Sequence, residues 1–221
     1  MNEKDGLASA KALGTGLAFM IFPLVFVFAF ATHPNLLNPH FLSPEELILR
    51  ARNAGLLQFG HVLVTLNTAL LVVVALHFMK VLENSAAAWA GFIGGSLAVL
   101  GALMLAADKG TLCLSMSAFD TLPDQEFSAL MPGLLALFAK EGWAVLVWGI
   151  LLLPLGFVIQ AIALIRTQSI SRWQSILFLI GVLLVGVPDG VEIVNLTASV
   201  LLTVAFIPYG IQIFTESAEA A

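Results

Sequence analysis

The sequence predicts an all-α polytopic membrane protein, a six-transmembrane-helix bundle with short interfacial helices in its outer loops. Three observations carry this. Hydrophobic residues make up 60% of the chain and charged ones 10%, whereas soluble domains are roughly one-quarter charged. The mean hydropathy is +1.01. Several apolar runs reach the ~20 residues needed to cross a hydrocarbon core of ~30 Å, and short segments rich in Pro, Gly and charge separate them.

Residues 1–12 form a polar leader carrying Lys4 and Lys11. A first span is expected over 13–32, with Pro23 as a kink. Ala29-Phe-Ala31 has the form of a signal cleavage site. The preceding run, however, is long and aromatic for a signal peptide and lacks a polar c-region, so a retained helix is expected. The following segment, His33 to His40, holds two prolines and cannot be helical. Ser43-Pro44-Glu45-Glu46 combines an N-cap Ser, Pro at N1 and Glu at N3, which is a capping box. It opens a short interfacial helix reaching about Asn53.

The second span is expected over 55–79. Gln58, His61, Thr65 and Thr68 share one side of it, within about 80° at 100° per residue. The third, over 89–107, presents Gly91, Gly95, Ala98 and Ala102 at small-xxx-small spacing, which lets a second backbone approach closely. It is expected to stop at Asp108-Lys109-Gly110. A long outer loop over 111–140 follows, with a helix start at Pro123-Asp124 and a break at Pro132-Gly133. The fourth span is expected over 142–165, the fifth over 173–187 and the sixth over 191–214, leaving 215–221 as a frayed acidic tail.

Basic residues orient this bundle. Lys4, Lys11, Lys80, Arg166 and Arg172 fall on one side, and Arg50, Arg52, Lys109 and Lys140 on the other. The short loops carry the positive-inside bias, which places both termini in the cytoplasm of a bacterial inner (plasma) membrane.

The stretch Pro188-Asp189-Gly190-Val191-Glu192 sets two carboxylates between apolar runs with no basic residue nearby in sequence. Such groups are costly at membrane depth and must find a partner. Asn195, Ser199 and Thr203 continue from Glu192 along one helix face. His61, Thr65, Glu192, Asn195 and Ser199 are therefore the candidate ligand-binding residues of a polar cavity between the second and sixth spans. Asp108, Glu141 and Asp189 rank below them, as helix-end residues that headgroups and water would satisfy.

No catalytic residue, metal site or cofactor is assigned. The one cysteine, Cys113, excludes cysteine-cluster metal sites. Bis-histidine haem ligation needs facing histidines at one depth, but His61 and His77 lie on one helix, about 24 Å apart along its axis. Neither G-x-S-x-G nor a Walker or dinucleotide fingerprint occurs. The net charge of −5 is dispersed, which argues against nucleic acid as a partner. The expected partners are the lipid bilayer and either a small molecule or another membrane subunit. Binding or transport of a small molecule or lipid is the leading functional expectation. An accessory or scaffold subunit is the alternative, and a membrane-embedded enzyme ranks third.

The orientation has a direct test in a Cys113→Ser background. Asp124→Cys should react with an impermeant thiol reagent in intact cells, and Ser169→Cys should react only after permeabilisation. The opposite pattern would invert the topology.

Overall fold

The computed structural model describes residues 3–34, 36–139, 151–185 and 191–219. Among these residues there are eight α-helices and no strand: α1 (Glu3–Ala31), α2 (Pro44–Ala51), α3 (Gly55–Leu82), α4 (Ala88–Phe119), α5 (Asp124–Phe138), α6 (Leu152–Thr167), α7 (Arg172–Val185) and α8 (Glu192–Glu219). Four of them are long and apolar enough to cross a membrane: α1 from Gly6, α3, α4, and α8 as far as Glu216. α6 and α7 are apolar but shorter, at 16 and 14 residues. The parts of the predicted fourth and fifth spans at 142–150 and 186–187 lie outside the described residues.

The long helices and the two shorter ones close into a ring. α1 packs on α3, α3 on α4, α4 on α6, α6 on α7, α7 on α8, and α8 returns to α1. Aromatic side chains fill the centre. Phe19 of α1, Phe78 of α3, Phe178 of α7 and Phe206 of α8 are fully or almost fully buried. Their rings meet at 5.2 Å (Phe19–Phe206), 5.4 Å (Phe78–Phe178) and 4.9 Å (Phe178–Phe206), the separations at which aromatic pairs attract.

α4 contributes small residues instead. A Cβ placed on Gly94 would stand 2.8 Å from the Gly156 carbonyl oxygen, and one on Gly95 would overlap Met79. The small-residue face read from the sequence is thus the seam where α4 meets α3 and α6, with backbones in contact as lipid-phase association favours. α1 and α8 use the same device, since a Cβ on Gly16 would come within 2.7 Å of the Gly210 oxygen.

Three buried amides tie neighbouring helices together. Asn67 of α3 donates to the Phe22 carbonyl of α1 at 2.9 Å. Gln160 of α6 donates to the carbonyls of Ala75 at 3.0 Å and Gly91 at 3.3 Å, on α3 and α4. Gln174 of α7 donates to Ala205 of α8 at 3.1 Å. Cross-helix bonds of this kind contribute about 0.6 kcal/mol each in membranes.

Several boundaries differ from those expected. α1 starts ten residues before position 13 and runs through Pro23. α4 does not stop at Asp108-Lys109-Gly110 but continues to Phe119, a 32-residue helix about 48 Å long. The reason is apolar burial beyond that point: Met116 packs with Ile48 of α2 and with Phe127 and Leu134 of α5. The same cluster holds α5 together across Pro132-Gly133, where a break was expected. The supposed loop is therefore the end of α4, a tight turn and α5. α8 also runs on through the predicted tail to Glu219.

α2 forms as its capping box dictates, with the Glu46 amide reaching the Ser43 hydroxyl and the Glu46 carboxylate accepting from the Ser43 backbone amide at 2.7 Å. That backbone bond foremost, and then the Ser43 hydroxyl donating to the same carboxylate at 2.9 Å, hold the Glu46 carboxyl below its ordinary range. The carboxylate's contribution to the box is fully present above that range and is lost as pH falls through the lowered value, while the Glu46 amide bond to the Ser43 hydroxyl does not titrate.

Packing at the seam sets a contrast between two glycines. Gly95→Leu should lower thermal stability in detergent by about 1–3 kcal/mol through overpacking. Gly14→Ala, which meets nothing within 4 Å, should leave it unchanged or higher. Equal effects would mean that the seam does not limit stability.

Candidate functional site

At one end of the ring α2 and α5 pack on each other and on the last turns of α4 as a cap, and ionisable groups gather there. Glu192 opens α8 and is buried. Arg50, in the last turn of α2, donates from Nη2 to Glu192 Oε1 at 2.6 Å, with the two side chains only 9% and 1% exposed. His33, two residues past α1, places Nδ1 3.1 Å from the same oxygen and 2.8 Å from Arg50 Nη2. The three atoms form a triangle. Nδ1 either donates to the carboxylate or accepts from the guanidinium, according to which ring nitrogen carries the hydrogen.

His61 of α3 lies edge-on to His33, with ring centroids 5.7 Å apart. It joins the cluster through this ring contact with His33. Asp108 is buried inside α4, so its reading as a helix-end residue is corrected. Its carboxylate lies 3.5 Å from Lys109 Nζ, and neither of its oxygens accepts a hydrogen bond among the described residues.

The hydroxyl candidates are spent on secondary structure. Thr65 donates to the His61 carbonyl at 3.0 Å, Ser199 to Asn195 at 2.8 Å and Thr203 to Ser199 at 2.8 Å. These hydroxyls bond back along their own helices and do not open a polar lining. With its amide nitrogen facing α7, Asn195 donates to Val185 at 2.9 Å and Leu184 at 3.2 Å. It thus ties the start of α8 to the described end of α7. Glu141 and Asp189 lie outside the described residues.

The second and sixth predicted spans, α3 and α8, do not pack side by side, because α1 packs against both. They meet instead across the core at the far end of the bundle, where His77 Nε2 and Tyr209 Oη are 2.8 Å apart. Sequence reasoning missed His33 and Arg50, assigning one to a Pro-rich loop and the other to a surface helix. The available signal was the lack of any local cation for Glu192, which required one from another element.

A second network anchors the cap at its base. Arg52 bonds Asp124 at 2.8 Å and lies 3.9 Å over the Phe127 ring. Asp120 receives Gln58 Nε2 at 2.6 Å and the Asn53 amide at 2.9 Å. Asn53 adopts a left-handed φ of 55°, which Asn tolerates better than most residues. The α2–α3 corner is thereby fastened to the α4–α5 corner.

The buried pair makes a thermodynamic cycle informative. Glu192→Ala or Arg50→Ala alone should cost about 3–5 kcal/mol, because each leaves an uncompensated buried charge. The double variant should cost much less than the sum. Strict additivity would show that the two groups do not interact.

No protein-family model matches the chain, and no curated protein or solved structure shows significant similarity to it.

Proposed function

We propose that the chain is a six-span bacterial inner-membrane protein, with α6 and α7 as the fourth and fifth spans and both termini cytoplasmic. In this reading it binds or passes a small polar molecule or lipid at the outer end of the bundle, beneath α2 and α5. The Arg50–Glu192–His33 triangle is then a latch holding the α2–α5 cap closed over His61, Asp108 and Asn195.

The observation that carries the proposal is the reach of Arg50. A cation on a short extramembrane helix is buried against a carboxylate that opens a spanning helix. Buried ion pairs contribute little net stability against apolar packing of the same shape, and ionisable groups at membrane depth most often mark a functional site. An ion pair that joins a cap to a span suits a device that opens, because its two halves can separate into water at low cost.

The accessory-subunit reading draws support from a different observation. The hydroxyl stripes on α3 and α8 bond to their own backbones, which leaves them no need of a ligand. In that case the triangle is a fixed brace.

Cysteine accessibility separates the two. With Cys113→Ser as background, Ser199→Cys lies at a fully buried position under the latch. If the cap opens, a small soluble thiol reagent should label it slowly, and labelling should accelerate several-fold when Glu192→Gln loosens the latch. If position 199 stays inert in both backgrounds while the protein remains folded, the binding reading is wrong and the brace reading stands.

A further inference from the structure

At the end of the bundle opposite the cap, α3 and α4 leave a groove between them of about 530 Å³, within the ~300–1,000 Å³ range of ligand sites. It is independent of the ionic cluster. Leu76, Met79 and Lys80 line it from α3, Glu83 from the residue that follows α3, and Trp89 and Phe92 from α4. Leu76, Trp89 and Phe92 are 50%, 77% and 54% exposed. These are large apolar surfaces at the ends of two helices that are apolar enough to span a membrane, so the groove opens sideways to lipid.

Its polarity is graded along the helix axis. Leu76 lies about 10 Å deeper than Glu83 at 1.5 Å per residue. The apolar lining is therefore inside, and the charged pair is at the rim beside Trp89, the residue type that favours the headgroup level. Lys80 and Glu83 sit one turn apart, both exposed. Among the described residues neither has an ion-pair partner within 4.0 Å.

We infer that this groove binds a zwitterionic phospholipid with a primary ammonium headgroup, of the phosphatidylethanolamine type. Its phosphate sits on Lys80 and its ammonium on Glu83, and an acyl chain runs inward along Leu76, Met79 and Phe92. The occupant follows from the charge order. An anionic lipid without an ammonium would satisfy Lys80 and be repelled by Glu83. A choline lipid carries a cation that cannot donate hydrogen bonds to the Glu83 carboxylate.

Native mass spectrometry of the full chain, released from detergent micelles doped with equal amounts of phosphatidylethanolamine, phosphatidylcholine and phosphatidylglycerol, tests this. The wild type should retain one phosphatidylethanolamine in preference to the others. Lys80→Gln should weaken that retention about fivefold, corresponding to about 1 kcal/mol for one cation near a phosphate. Glu83→Gln should abolish the preference over phosphatidylglycerol while leaving a bound lipid. Both side chains are exposed, so neither change disturbs the core, and an unchanged melting temperature confirms this. Three results would overturn the inference: equal retention of all three lipids, retention untouched by either substitution, or a dimer of the chain that Trp89→Ala dissociates, which would make a second copy the occupant.

Discussion

A polar group at membrane depth has no water to turn to, and this constraint organises the whole molecule. Each class of side chain meets it differently. Hydroxyls have short reach and bond back to their own helix, as Thr65, Ser199 and Thr203 do. Amides reach further and find carbonyls on the next helix, so Asn67, Gln160 and Gln174 become cross-links between neighbours in the ring. Charges cannot be met by a backbone carbonyl alone. Glu192 draws in Arg50 and His33 from segments outside the spans, and Asp108 draws on Lys109 next to it. Longer polar reach thus produces longer-range structure, from one turn, to a helix pair, to the attachment of the cap.

Apolar packing supplies the complementary half. Lipid is as apolar as a leucine side chain, so helices associate only where packing is better than lipid can offer. The ring meets this in two ways: glycine seams that bring backbones together, and phenylalanines that fill the centre where they do not. Glycines bring α4 close to α3 and α6, and Gly16 and Gly210 bring α1 close to α8, while α1, α3, α7 and α8 also send rings inward.

The two ends of the bundle differ in consequence. At one end α4 overshoots the ~30 Å hydrocarbon thickness and carries α2 and α5 on its last turns, with Ile48, Met116, Phe127 and Leu134 as a second small core. The α2–α5 pair thus has its own small core and is fastened at its base by Arg52 and Asp120 and at its edge by Arg50. At the other end, α3 and α4 are joined by a short turn, and an apolar groove with a charged rim lies between them.

Composition and run length determined the helical membrane class, the long apolar helices α1, α3, α4 and α8, the capped start of α2 and the close-packed face of α4. These are local properties. A 20-residue apolar run, a Ser-Pro-Glu-Glu start or a small-xxx-small spacing acts through neighbours within a few turns, so the sequence displays them directly. Ring order was not local. Helical periodicity showed polar stripes on α3 and α8 but could not say that α1 packs against both, because a wheel gives a direction without a neighbour. Nor could it show that the hydroxyls in those stripes would close on their own backbone. The length of α4 and the continuity of α5 also escaped it. The burial of Met116 against α2 and α5 outweighs the breaking tendency of Gly110 and Pro132-Gly133, and that burial exists only once distant segments meet. The partner of Glu192 shows the limit most clearly. The sequence established that this carboxylate needed a cation, and Arg50, Arg52 and Lys109 all stood on the expected side. Only the tertiary structure decided among them, because the choice depends on where the α2–α5 core sets the last turn of α2 over the start of α8.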